Sequence, residues 1–316
     1  MKNSELTTMK NSEFLERIDK AYAGYTPEEE DHSSESSISP YFQFLNPQSI
    51  AEGIPGLGIS KEIANHEDVS FDPDTNWSSA IAEFGDQQKE FWVSQNPRLV
   101  VLKRSKKLAC LQTDQEIELR DFEKNKNWYY DSLQKLGKEY VKNFVSLVVM
   151  PVDTDNNPLC KSPVKLRLTK QAGRDFNLAL SKFFGGYKNL VAYLKGQGKQ
   201  CSSEPWLAVF TPRLKQGKAG TSDGTKSSQS IRIDTDGFTS VSPETYFDLV
   251  ILPKTDQFFQ IQGLRKIAED MIDRPIEQAL IDNQEFDYQP LDYVEKSRRL
   301  AAATVAAATD YDIDNL

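Results

Sequence analysis

Histidine and cysteine are scarce in this chain, and their scarcity excludes whole classes of chemistry. The two histidines, His32 and His66, both lie near the N-terminus. A Ser-His-Asp or Cys-His nucleophile needs its base within hydrogen-bond reach, and His66 meets that demand only if the N-terminal part docks on the rest. The three cysteines, Cys110, Cys160 and Cys201, are widely spaced and odd in number. They suit neither a disulfide framework nor the clustered ligands of a zinc site. Long apolar runs are missing too. No stretch has the length of a membrane span or the make-up of a signal-peptide core, so a cytoplasmic, reducing location is expected. Hydrophobic residues make up only 38% of the 316. One packed core with disordered ends fits that figure better than globular structure throughout.

Two weak motifs fail on inspection. Gly217 to Ser228 has the glycines of a phosphate loop, but Gly224-Thr225-Lys226 breaks the required Gly-Lys-Ser/Thr order. Asp153-Thr-Asp155-Asn-Asn157 starts like a calcium loop, yet lacks the sixth-position glycine and the closing Glu. A mobile basic loop and a hairpin turn are the respective expectations. Carboxylates dense enough for a two-metal nuclease lie outside the middle of the chain. No catalytic residue, metal or cofactor is therefore expected.

What the chain has in quantity is charge sorted by position. From Arg98 to Arg232 there are 25 Lys and Arg against 12 Asp and Glu, a net of +13. Residues 1–97 hold 6 basic and 18 acidic residues, and residues 233–316 hold 7 and 17. The formal charge of −9 thus hides a strongly basic middle. Such a block attracts polyanions, whether nucleic acid or the chain's own acidic ends.

The expected fold class is α+β, with a β-rich, OB-like barrel core and a few helices. Residues 1–40 read as an acidic tail, opened by a local repeat (Met1-Lys-Asn-Ser-Glu, then Met9-Lys-Asn-Ser-Glu). Residues 41–97 read as an acidic arm on the core, 98–274 as the basic binding domain, and 275–316 as a flexible tail. Strands are expected at 99–102, 145–152, 164–168, 206–210, 231–233 and 247–252. The alternation Val164-Lys-Leu-Arg-Leu168 places Lys165 and Arg167 on a face opposite the apolar one. A helix is expected over 171–184, stopped by Gly185-Gly186. Phe258, Ile261, Leu264, Ala268 and Met271 predict a closing helix.

Holding a single strand without reading its sequence takes cations along the phosphates and aromatic faces for the bases, each stack being worth about 1–3 kcal/mol. The basic middle offers both. Lys103, Arg104, Lys106 and Lys107 follow a strand. Lys124 and Lys126 flank Trp128-Tyr129-Tyr130, a run that cannot bury every ring on one face, so Trp128 and Tyr130 are candidates for exposure. Lys165, Arg167, Tyr187, Lys188, Trp206, Arg213 and Lys215 complete the candidate nucleic-acid contacts. Phe144, Phe176 and Phe183 are expected in the core.

In layout the chain resembles single-stranded-DNA-binding proteins of bacteria and their phages, with a basic β core, a low-complexity linker and an acidic C-terminal tip at Asp310, Asp312, Asp314 and Leu316. The resemblance implies an oligonucleotide-binding barrel, a preference for DNA over RNA, and a tip that competes with DNA and recruits a replication or repair protein. The usual tip carries a proline and a terminal aromatic, whereas this one ends Asn315-Leu316. The Val145–Leu168 block also resembles an uncharacterised family of cyanobacteria, their plasmids and phages, which implies no function. Two other readings stand beside this one: a structural or assembly adaptor of a phage or plasmid, and an enzyme with an unrecognised carboxylate site.

Overall fold

The strongest β-branched run becomes the longest strand and the junction of the sheet. In the computed structural model, which describes residues 11–23, 40–85, 87–113, 117–138, 140–220 and 227–282, strand β9 spans Val141–Pro151. Eleven strands share one mixed sheet. Those before β9 are β1 (Tyr41–Leu45), β2 (Ile50–Glu52), β3 (Gly56–Ser60), β4 (Ser78–Phe84), β5 (Gln87–Ser94), β6 (Leu99–Arg104), β7 (Leu108–Gln112) and β8 (Ile117–Asp121). After it come β10 (Val164–Leu168) and β11 (Val209–Phe210). The strand order runs β11-β6-β9-β10-β1-β3-β5-β4-β2, and β7 pairs with the first half of β9, carrying β8 beyond it.

This order has two ends, β11 and β2, so the expected OB-like barrel is not what the sheet forms: it stays open. The reason lies in the strands of residues 41–97, expected as an arm. They include β1, which pairs in parallel with β10, and β3 and β5 extend the sheet from there. β9 and β10 form the expected hairpin and pair antiparallel, with Lys165 opposite Val148 and Arg167 opposite Ser146. Its turn is held by Asp153, whose Oδ1 accepts from the amides of Asp155 and Asn157 at 2.8 Å each.

Among the described residues six helices accompany the sheet: α1 (Asn11–Tyr22), α2 (Lys61–Ala64), α3 (Lys126–Leu136), α4 (Lys170–Gly196), α5 (Tyr246–Leu249) and α6 (Asp256–Asp282). Helix α4 covers the face formed by Leu166, Leu168 and Phe210. Gly173 lets it approach so closely that a Cβ there would lie 2.5 Å from the Leu168 carbonyl carbon, and Phe176 and Phe183 pack on Phe210. It does not stop at Gly185-Gly186. Tyr187, Val191 and Leu194 continue the buried stripe of Phe176, Leu180 and Phe183, and their burial outweighs the roughly 1 kcal/mol that each glycine costs a helix.

Helix α6 lies on the opposite face, where Glu269 pairs with Lys103 at 3.7 Å and Phe258 packs on Trp206 at 5.2 Å. Its buried residues include Phe258, Ile261 and Ala268, in line with the expected stripe.

Three further expectations are corrected. Residues 11–22, read as tail, form α1 and bury Phe14, Ile18 and Tyr22 against Tyr246 and Phe247. The loop read over Gly217 to Ser228 holds the facing ends of a two-stranded ribbon, β12 (Leu214–Gly220) and β13 (Ser227–Ile233). The strand expected at 247–252 is α5 followed by a single bridge between Val250 and Ala208. No helix among the described residues is long and apolar enough to cross a membrane.

Candidate nucleic-acid interface

Two tight turns, remote in sequence, meet at one end of the sheet. Between β6 and β7 the chain turns at Ser105, whose buried side chain accepts from the Ser146 amide at 2.9 Å and donates to the Lys106 carbonyl at 2.7 Å. The Ser105 amide in turn donates to the Ser146 carbonyl at 2.8 Å. Pinned in this way to β9, the turn leaves Arg104 and Lys106 exposed and Lys107 half-buried. Between β8 and α3, Asp121 Oδ1 accepts from the amides of Glu123 and Lys124 at 2.9 and 3.2 Å. That carboxylate-capped turn holds Lys124 and Lys126 outward. The Phe122 amide donates to the Lys107 carbonyl at 3.0 Å, tying one turn to the other.

The aromatic run resolves as helix geometry dictates. Successive residues point about 100° apart, so when Tyr129 turns to the sheet the rings on either side cannot follow. Tyr129 is buried, its hydroxyl accepting from Asn143 Nδ2 at 2.8 Å. Tyr130 is 57% exposed and rests edge-on against Tyr129 and Phe122, at 5.2 and 6.4 Å. Trp128 is half-buried with the Arg120 guanidinium 4.4 Å from its ring centre, so one of its faces is already occupied. The Lys107 ammonium lies 3.7 Å from the Phe122 ring centre. Burial lowers its pKa, Glu123 opposes that, and Arg174 and Lys126 lower it further. Glu123 also forms a 2.5 Å ion pair with Lys126 and raises its pKa; at such an exposed site the pair is easily exchanged for another anion.

The structure thus brings together Arg104, Lys106, Lys107, Lys124, Lys126, Trp128 and Tyr130. The other candidates go elsewhere. Trp206 is 4% exposed, between Phe258 and the Arg265 guanidinium. Tyr187 is fully buried and donates to the Ser202 carbonyl at 2.8 Å. Both are core residues and are withdrawn as base-stacking positions, because each lies on the apolar side of its element. Lys103, Lys165 and Arg167 do share one face of the sheet, as the alternation required, but it is the face that carries α6. Lys103 pairs with Glu269 there. Arg167 lies 4.2 Å above the Phe144 ring, and burial, then the charge of Arg167, push Lys165 down to about 8. Lys188 is exposed on α4, about 20 Å along the helix axis from Arg174. Arg213 is exposed and Lys215 pairs with Asp234 at 3.1 Å, beside the ribbon. Asp310, Asp312, Asp314 and Leu316 lie outside the described residues.

One cation escaped the sequence reading. Arg174, exposed on the first turns of α4, reaches the neighbourhood of Lys107. Its position on the polar side of the Phe176–Leu180–Phe183 stripe marks it as exposed, but only the pairing of β10 with β9, and of β9 with β7, shows which turn its charge adds to.

Residues 36–256 match a family model described as a domain of unknown function (DUF5895). The match spans most of the chain, and the chain belongs to that family. No curated protein and no solved structure matches it.

Proposed function

We propose that this DUF5895 protein is a non-enzymatic binder of single-stranded nucleic acid, DNA in preference to RNA, acting through the surface around α3. The observation that carries the reading is the convergence of Lys106 and Lys107 from one turn with Lys124 and Lys126 from another around the exposed ring of Tyr130. The ammonium and guanidinium groups neutralise phosphates, while Tyr130 offers a face to an unstacked base. Contacts to phosphates and ring faces carry no sequence information, so the reading implies weak sequence preference. The acidic tip at Asp310, Asp312, Asp314 and Leu316 competes for the same cations and serves as the contact for a replication or repair protein.

A second reading, an assembly adaptor whose basic face meets an acidic protein, draws on the carboxylates already paired with Lys103, Lys126 and Lys215. Anisotropy of a labelled oligothymidine titrated at two salt concentrations separates them. Nucleic-acid binding predicts a log–log salt slope of about −0.7 for each phosphate neutralised on a single strand, and tighter binding at low salt once residues 310–316 are removed. No interaction at low salt, or one indifferent to salt, leaves the adaptor as the better account.

A further inference from the structure

The first turns of α4 stand between the α3 surface and the β12–β13 ribbon. On one side, Leu168, just before α4, lies opposite Val145, and the neighbouring Phe144 lies opposite Leu108, so the start of α4 stands near Lys107, whose pKa the charge of Arg174 helps to lower. On the other, Asp175 holds Arg232 Nε at 2.5 Å, and the same guanidinium donates through Nη1 to the Lys218 carbonyl at 3.4 Å. The Arg232 stem crosses the ribbon at Gly217, where a Cβ would lie 2.5 Å from Arg232 Cγ. Gly217 therefore leaves room for a strut that fixes the ribbon to α4. Lys218 stands one side chain's reach from the turn that carries Arg174.

The outer half of the ribbon, residues 217–220 opposite 227–230, contains only Gly, Ala, Ser, Gln and Lys. A two-stranded ribbon gains little stability by itself, and this half has no large apolar side chain to anchor it to a core. Small residues and a lysine instead suit close passage of a charged backbone. Most cations nearby are already engaged: Lys215 with Asp234 at 3.1 Å, Lys182 with Asp236 at 2.7 Å, Arg232 with Asp175. Lys218 and Arg174 are exposed and make no ion pair among the described residues.

Resting on the single-strand reading above, we infer that the path of the strand runs from Tyr130 past Lys107 and Arg174 to the ribbon, where Lys218 is its far phosphate contact. The site then has two spans joined at the first turns of α4. A short strand fills the α3 span alone, and a longer one occupies both.

The test compares oligothymidines of about 4 and about 16 nucleotides, the range of footprints known for compact single-strand binders. It is run on the full chain at ~0.15 M salt, where screening within about 8 Å confines the effect of a charge to its surroundings. Lys218→Glu is expected to weaken the long strand several-fold and to flatten its salt slope by about 0.7, with the short strand and the melting temperature unchanged. Lys218→Gln, which deletes the charge without reversing it, gives the same pattern at smaller amplitude and serves if the Glu variant does not fold. Equal loss on both strands, or no loss on the long one, overturns the two-span path while leaving the α3 surface standing. A wild-type protein that binds neither strand removes the single-strand reading and this extension with it.

Discussion

Lys165 shows what a single position can demand of a fold. The alternation of β10 sends it, with Arg167, to the face of the sheet that carries α6, where burial lowers its pKa to about 8. The consequence for stability has a definite sign. Below that value the lysine is charged in both folded and unfolded chains, and the folded chain bears the cost of burying the charge. Between about 8 and the ordinary 10.5, the unfolded chain holds a proton that the folded chain has released, so stability rises with pH. Wild type is therefore expected to gain stability relative to Lys165→Met as pH climbs through that window. Denaturant melts of both proteins at several pH values check this, and a stability difference that does not move in favour of wild type as pH rises refutes it. At this scale the sequence was legible in direction but not in outcome. Alternation told that Lys165 and Arg167 share a face, and the run of three adjacent rings told that at least one of them stays outside. Nothing local told that this is the face that carries α6, or that Trp206 and Tyr187 point inward, because those facts depend on helices packed from far along the chain.

Among the elements, α1 is the plainest case of tertiary contacts overriding composition. Its twelve residues include Glu13, Glu16, Arg17, Asp19 and Lys20, a density of charge that reads as solvated tail. Yet Phe14, Ile18 and Tyr22 recur every four residues on one side. There Phe14 meets Tyr246 and Phe247 edge-on, and the hydroxyls of Tyr22 and Tyr246 lie 3.1 Å apart. The charged side is used as well, with Arg17 3.7 Å from the Phe247 ring centre and Asp19 paired with Lys199 at 2.5 Å. Phe14→Ala is expected to cost about 3–5 kcal/mol of stability, as for other buried aromatics; a tail residue costs nothing measurable. Urea unfolding of the variant decides, and a midpoint equal to wild type contradicts the docked helix. The strands of β9 and β10 and the stripe of α6 were legible, since a strong periodic pattern needs no distant partner. The open sheet was not, because the parallel pairing of β1 with β10 joins segments more than a hundred residues apart, and no local signal encodes that pairing.

On the scale of the whole molecule, the sorting of charge acquires a geometry. The basic middle does not spread evenly: Lys103 is neutralised by α6, Lys215 and Lys182 by the acidic turn at Asp234–Asp236, and Arg232 by Asp175. Of the cations left outward, Arg104, Lys106, Lys107, Lys124 and Arg174 gather at the end of the sheet that holds α3, the β6–β7 turn and the start of α4, around an exposed tyrosine, while Lys188, Lys195, Arg213 and Lys218 are exposed elsewhere. That concentration, rather than the net charge, is the basis of the single-strand reading. The measurement that tests it most directly pairs affinity and melting temperature on one variant, Lys106→Glu/Lys124→Glu/Tyr130→Ala, against a labelled oligothymidine. All three side chains are exposed, so the melting temperature is predicted to stay within the scatter of wild type. Loss of the ring alone accounts for about 1–3 kcal/mol of binding, and the two charge reversals deepen the loss at low salt and flatten the salt dependence. Unchanged affinity in a variant that melts like wild type contradicts the account.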